Sequence, residues 1–194
     1  MTRFQLAPAD PATGDPRWKL ILEPREFDLI ESLPNLIRRL LADPSSNKRV
    51  IARLFPRAHK NEAEEIEHRR LLGTTLLDQR RELLDSIDLD LGRSVASPPS
   101  AKPPGTKPAG AASPGARSRS GRVMTLGTQD VDRWLRFLND VRLTLATELG
   151  IERNLGDQAP PAPDHPDALR HALLDYLGGL EFAMIEGLQR SGGL

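Results

Sequence analysis

The sequence predicts a mainly α-helical fold: a single bundle of about four helices with a small two-stranded β-ribbon, interrupted by a disordered linker. Three observations favour this fold class. Apolar residues recur at three- and four-residue steps through much of the chain, which is the spacing of one helix face. Two short apolar runs have the length of strands. A central stretch is rich in Pro, Ala, Gly and Ser and is typical of a linker.

Composition limits what this chain of 194 residues can be. Its length suits one hydrophobic core rather than two. Lys plus Arg and Asp plus Glu number 27 each, so the whole molecule has no net charge to attract nucleic acid or an anionic membrane. The absence of cysteine excludes disulfides, thiolate metal sites and cysteine nucleophiles. Because we find neither a signal peptide nor a membrane-spanning run, we expect a cytoplasmic protein.

The N-terminal part begins with a predicted disordered tail. Residues 1–16 contain three prolines and one glycine without periodic apolar residues. The run from Trp18 to Leu22 is short and apolar, and it predicts a strand. Helical spacing then predicts a first helix over residues 24–42, with a kink or a break into two short helices at Pro34.

A single helical turn is predicted at residues 53–56, where Leu54 and Phe55 would enter the core. Asn61 is placed to cap a second helix over residues 62–87, whose first turn is acidic. The arginines of this helix are expected to lie largely away from its apolar face. Residues 17–90 then form the first half of the domain.

Residues 91–121 are predicted to be a disordered linker. The segment contains six prolines among Gly, Ala and Ser, and it has no acidic residue. Such a composition buries too little apolar surface to offset the entropy lost on ordering. Five Lys and Arg residues make it locally basic.

The second half of the domain is predicted at residues 122–190. It starts with a strand over residues 122–126, expected to pair antiparallel with the strand at Trp18 to Leu22. Thr128 would cap a third helix that ends near Gly150. A fourth helix would begin just before Pro166. Its core face is predicted to carry Leu169, Leu173, Leu177, Leu180, Met184 and Leu188.

Two blocks of sequence carry a family resemblance. The first contains Arg53-Leu54-Phe55-Pro56 and Arg69, and the second contains Trp134-Leu135 followed by Asn139-Asp140-Val141-Arg142-Leu143. With these motifs, the chain resembles a bacterial family of unknown function named for AosR-like oxidative stress regulators. The resemblance implies regulation through protein contact and not catalysis.

A polar cluster is the candidate site. Its members are Glu65, Arg69, Asn139, Asp140 and Arg142. The last three lie in a largely apolar helix, so at least one is expected beside the core, and buried polar groups need partners. We predict that Arg142 or Arg69 pairs with Asp140 or Glu65 across the second and third helices, which would fix their register. The alternative is an exposed recognition patch.

Catalytic motifs are missing from the sequence. Glu65 and His68 have the Glu-x-x-His spacing of di-iron bundles, but such sites need the motif twice. No Gly-x-Ser-x-Gly elbow or phosphate-binding glycine loop is present, and Gly178-Gly179 suits close helix packing. We therefore predict no enzyme activity, no cofactor and no metal.

The function predicted from these observations is that of a non-enzymatic cytoplasmic regulatory or adaptor protein. Its partner would be another protein, with the transcription apparatus as the candidate that the resemblance suggests. Two alternatives stay open: a nucleic-acid-binding protein that uses the basic linker, and an unrecognised metal-dependent hydrolase.

Overall fold

A four-stranded antiparallel sheet joins the segments before and after residues 98–120 in the computed structural model, which describes residues 3–97, 121–151, 161–162 and 164–190. Its strands are β1 (Arg3–Ala7), β2 (Arg17–Leu22), β3 (Val95–Ala96) and β4 (Arg122–Gly127), in the order β1-β2-β4-β3. Alternate side chains of β2 point into the core, because successive residues of a strand face opposite sides. These are Trp18, Leu20 and Leu22.

The predicted pairing of the two apolar runs is confirmed. In the antiparallel ladder of β2 and β4, Trp18 lies opposite Leu126 and Leu22 lies opposite Arg122. The ribbon is larger than predicted, however, because β1 adds to the free edge of β2 and β3 adds to that of β4. The sheet thus brings together residues that the linker separates in sequence.

Strand β1 corrects the prediction of a loose tail over residues 1–16. Its five residues show no alternation of buried and exposed side chains, so no apolar pattern indicates a strand. Backbone pairing with β2 holds the strand in place. Phe4 anchors it, stacked on Trp18 and packed over Gly187, where an added Cβ would lie 2.7 Å from the Phe4 ring.

Five helices are present among the described residues, compared with about four predicted. They are α1 (Pro24–Ala42), α2 (Lys48–Leu54), α3 (Glu62–Gly92), α4 (Thr128–Glu148) and α5 (Ala168–Arg190). The predicted single turn is therefore the two-turn helix α2. Pro34 lies within α1 without breaking it into two helices.

Two of the three predicted helix-end residues have the predicted role, and the third does not. Asn61 caps α3 as predicted, since its side chain accepts a hydrogen bond from the Ala63 amide. Gly150, with φ at +71°, follows the end of α4 as predicted. Thr128 is the first residue of α4 rather than its cap, and Asp130 accepts the Gly127 amide instead.

The predicted linker starts too early in the sequence. Helix α3 continues to Gly92 and β3 follows at Val95–Ala96, so the first residues of the predicted linker 91–121 belong to regular structure. Residues 95 and 96 are ordered because they pair with β4, although the sequence around them has no apolar periodicity. The rest of the predicted linker, 98–120, lies outside the described residues.

One hydrophobic cluster contains buried residues from both sides of residues 98–120. Trp18, Ile37 and Ile87 belong to it, as do Trp134 and Leu177. On α5, the predicted face is buried from Leu177 onward, but Leu169 is 81% exposed because it lies in the first turn of a helix that begins only at Ala168. Of the helices described, none combines the length and the apolar character needed to cross a bilayer.

Candidate functional site

One face of α3 is buried at its C-terminal end and open at its N-terminal end. Ile66, Leu77, Leu84 and Leu91 recur at steps of seven or eleven residues, which keeps them on one side of the helix. Leu84 and Leu91 are buried at 2% and 4% exposure, whereas Ile66 is 60% exposed. At 31 residues α3 is about 46 Å long, and its apolar face extends beyond the core that covers it.

The open part of α3 is tied to the segment after α2. The buried Glu65 carboxylate accepts the backbone amides of Ala58 at 2.9 Å and His59 at 3.0 Å, and it also accepts Arg69 Nε. Hydrogen bonds to the charged form favour ionisation, with the Arg69 guanidinium the largest cause, so the pKa of Glu65 falls to about 2. Glu65 therefore fixes the position of this turn.

A cleft of about 780 Å³ lies between α3 and α4. Residues Leu54 to Pro56, at the end of α2, line it. Leu76 and Leu83 of α3 give it an apolar floor. The polar side chains that line it include Arg80, Arg133, Arg136, Asn139 and Asp140.

Arg80 joins three helices at the base of the cleft. Its guanidinium donates to the buried Asp140 carboxylate of α4 and, at 3.1 Å, to the Leu54 carbonyl of α2. It also lies 5.5 Å from the centroid of the Phe55 ring. Burial lowers the pKa of Arg80, and the nearby charge of Arg136 lowers it further. The pair with Asp140 offsets the cost of burying this cation.

Two further arginines lie along the α4 side of the cleft. Arg133 pairs with Asp130 and Arg136 pairs with Asp132, one helical turn away in each case. The Arg133 Nε atom is buried and meets no hydrogen-bond acceptor among the described residues. Because a guanidinium carries five N–H donors, these pairs leave donors that can bind an incoming anion.

A second recess of about 330 Å³ continues from the cleft along α3. Phe55, Pro56 and Leu76 line both recesses, which makes them neighbouring parts of one surface. Gly73 and Leu77 extend the second recess toward the open end of α3. Apolar surface thus runs from the α3–α4 cleft toward Ile66.

The structure does not bring the five predicted site residues together. Glu65 and Arg69 pair within one turn of α3. Asn139 and Asp140 line the cleft. Arg142 lies against α5 and pairs with Glu181. The prediction of a pair across the second and third helices is wrong, because Arg69 meets Glu65 within its own helix and Arg142 meets Glu181 of α5.

Arg80 is the cation that pairs with Asp140 across α3 and α4, and the sequence prediction missed it. It was expected to lie away from the apolar face. The sequence position of Arg80 could have identified it, because Arg80 stands four residues after Leu76 and four before Leu84, on the same side of the helix. A cation at that spacing enters the helix interface and needs an acid there.

The Glu65 and His68 side chains of the Glu-x-x-His motif are engaged in other contacts. The Glu65 carboxylate is occupied by backbone amides and Arg69, and the ring of His68 packs edge-on against that of His59. Across residues 3–97 and the later described ranges, no group of three or more His, Asp or Glu side chains is arranged to hold a metal ion.

Comparison with known proteins places the chain in a family. Residues 1–187 match the model of the family described as Domain of unknown function (DUF2017). The chain belongs to the DUF2017 family. The match covers β1 through most of α5, so the α3–α4 cleft lies entirely within the DUF2017 match. No match was found among curated proteins or among solved structures.

Proposed function

We propose that this chain is a non-enzymatic cytoplasmic regulatory or adaptor protein that binds another protein through α3. The docking surface consists of Ile66, Leu72, Leu76, Leu77 and the adjoining α3–α4 cleft. The observation that supports it is the exposed apolar surface of α3 beyond the core, where Ile66, 60% exposed, lies in line with the buried Leu84, and Leu72, 43% exposed, lies about a third of a turn to one side. Exposed apolar residues beside recesses are typical of protein-binding surfaces.

Binding energetics favour a protein partner for this surface. Complete burial of a Leu or Ile side chain stabilises a complex by about 1.5–3 kcal/mol before the costs of association. The surface is already formed, since Glu65 holds the turn after α2 against α3 and Arg80 ties α2, α3 and α4 together. A formed surface loses less conformational entropy on binding.

The resemblance to AosR-like regulators adds the transcription apparatus as the candidate partner. That part of the proposal rests on the sequence motifs, including Arg53 to Pro56, which in the structure leads into the cleft. Sensing of oxidants through thiols does not carry over, because the chain has no cysteine.

Affinity capture with matched variants tests the proposed function. The full chain and a variant with Ile66→Glu and Leu72→Glu would be used to capture proteins from a bacterial lysate. The control variant carries Leu169→Glu and Phe182→Glu, which makes the same charge change at exposed positions of α5. We expect a stoichiometric partner bound by the full chain and the control and lost from the α3 variant. Circular dichroism would confirm that all three are equally helical.

Two results would contradict the proposal. Equal capture by the α3 variant would show that the partner binds elsewhere. Recovery of nucleic acid alone, abolished by nuclease and by deletion of residues 98–120, would favour the nucleic-acid alternative, for which steep salt dependence is expected.

A further inference from the structure

The geometry of the α3–α4 cleft points to the chemistry of the partner. We propose that the cleft binds an acidic amphipathic helix of the partner protein, whose carboxylates meet Arg133 and Arg136 while its apolar side chains enter the floor. This inference rests on the proposed function and adds the class of segment that is recognised. Docking of such a helix in a groove is a common mode of recognition.

The arginines provide the charge complementarity. Arg133 and Arg136 are 35% and 69% exposed at their side chains, so a ligand can reach both. Their present partners, Asp130 and Asp132, lie in the same helix, and exposed pairs of that kind contribute little to stability. An incoming carboxylate can therefore bind the remaining exposed donors of the two guanidinium groups.

The acidic neighbours of the cleft disfavour a nucleic-acid backbone as its ligand. Asp140 lies at the base, Glu82 lines the wall, and Asp130 and Asp132 stand beside the arginines. This arrangement repels a continuous run of phosphates, whereas a helix presents carboxylates at chosen positions. The Phe55 ring, the one aromatic group lining the cleft, lies under Arg80 and is not free for base stacking.

The apolar floor selects for an amphipathic segment. Leu54, Leu76 and Leu83 line the cleft beside the arginines. A volume of about 780 Å³ holds a few side chains from one face of a helix and not the helix itself. Apolar residues three or four positions apart, with acids next to them, would place both kinds of group on the matching walls.

Two synthetic peptides of about four helical turns test this inference. Both carry leucine at helical spacing, and their other positions are Ala with Glu in one peptide and Ala with Gln in the other. We expect fluorescence anisotropy at low salt to show about tenfold tighter binding of the Glu peptide, because charge-assisted hydrogen bonds are the stronger ones. Added salt should reduce the difference.

Matched arginine variants assign the binding to the cleft. Arg133→Gln with Arg136→Gln should bring the affinity for the Glu peptide down to that for the Gln peptide. The control, Arg170→Gln with Arg190→Gln, removes two exposed arginines of α5 that also pair with acids three and four residues away. We expect the control to bind as the unchanged chain does.

The peptide experiments can fail without contradicting the proposed function. Equal binding of both peptides, no binding of the Glu peptide at about 1 mM, or unchanged binding by the Arg133 and Arg136 variant would overturn the acidic-helix inference. The proposed function would survive these results if capture still required Ile66 and Leu72. Sedimentation that shows a dimer dependent on Arg133 and Arg136 would identify a second copy as the occupant and also overturn the inference.

Discussion

The two parts of α3 have the same apolar periodicity but different surroundings. From Leu83 to Gly92, the helix packs into the core, and Arg38 of α1 pairs with Asp85 and Asp88 on its flank. From Glu62 to Gln79, the helix meets the turn after α2, and much of its apolar face stays exposed. Periodicity therefore identifies a helix face, but it does not identify what covers that face.

Truncation of one leucine in each part should give the largest contrast. Leu84→Ala removes a side chain that is 2% exposed, and we expect a loss of about 2–5 kcal/mol in the free energy of unfolding. Leu72→Ala, in the open part, should change it by less than about 1 kcal/mol. Urea unfolding followed by circular dichroism measures both. Similar losses would mean that the open part is covered after all.

The link between α3 and α4 should give the next largest effect. Asp140→Asn leaves Arg80, which is 27% exposed at its side chain, without its anion, and we expect destabilisation by about 1–3 kcal/mol. Asp132→Asn breaks an exposed pair with Arg136 and should cost less than about 1 kcal/mol.

A double-mutant cycle separates the Arg80–Asp140 interaction from the cost of an unpaired charge. If the pair fixes the helices, Arg80→Gln combined with Asp140→Asn should be less destabilising than the sum of the single changes. Strict additivity would contradict a direct interaction between the two side chains.

Glu65, in the open part of α3, should make stability fall in acid. Its pKa is about 2 in the folded protein, below the ordinary 4.5, because Arg69 and two backbone amides favour the carboxylate. Its contribution is present above about pH 4.5 and is lost as the pH falls toward about 2. Glu65→Gln should weaken this dependence in urea titrations between these pH values. An unchanged dependence would contradict the role of Glu65 in holding the turn.

Asp90, in the buried part of α3, should make stability fall as the pH rises, which is the opposite of the effect of Glu65. Burial raises its pKa above the ordinary 3.8, although Trp134 Nε1 donates to its carboxylate at 3.0 Å. Its stabilising contribution is therefore present below about pH 3.8 and is lost as the pH rises through the raised pKa. Asp90→Asn keeps an oxygen for Trp134 and should remove this fall. A steeper fall in the variant would show that the assigned cause is wrong.

Features that depend on local patterns were predictable from the sequence. The pairing of β2 with β4, the span of α1 and the Asn61 cap follow from apolar runs and capping residues. Features that depend on distant contacts were not. Strand β1 is held by backbone pairing and by the space that Gly187 leaves for Phe4, and neither produces an apolar pattern.

In the candidate site, too, one feature was predictable from a local pattern and the others depend on distant contacts. Periodicity indicated that polar residues of α4 would meet the core, and Asp140 is indeed buried. The identity of its partner depends on the rotation of α3 against α4, which the sequence alone does not fix, and the cation is Arg80 rather than Arg69 or Arg142. The α3–α4 cleft is lined by residues of three helices, so no single segment of the sequence encodes it.

Amide hydrogen exchange of the full chain, with and without the Glu peptide, tests the central claim most directly. In the free protein, we expect amides of residues 84–92 to be far better protected than those of residues 66–77. The peptide should then protect residues 76–86 and 133–140, which line the cleft, and leave α5 unchanged. Uniform protection along free α3, or protection by the peptide confined to α5, would contradict an open docking surface on α3.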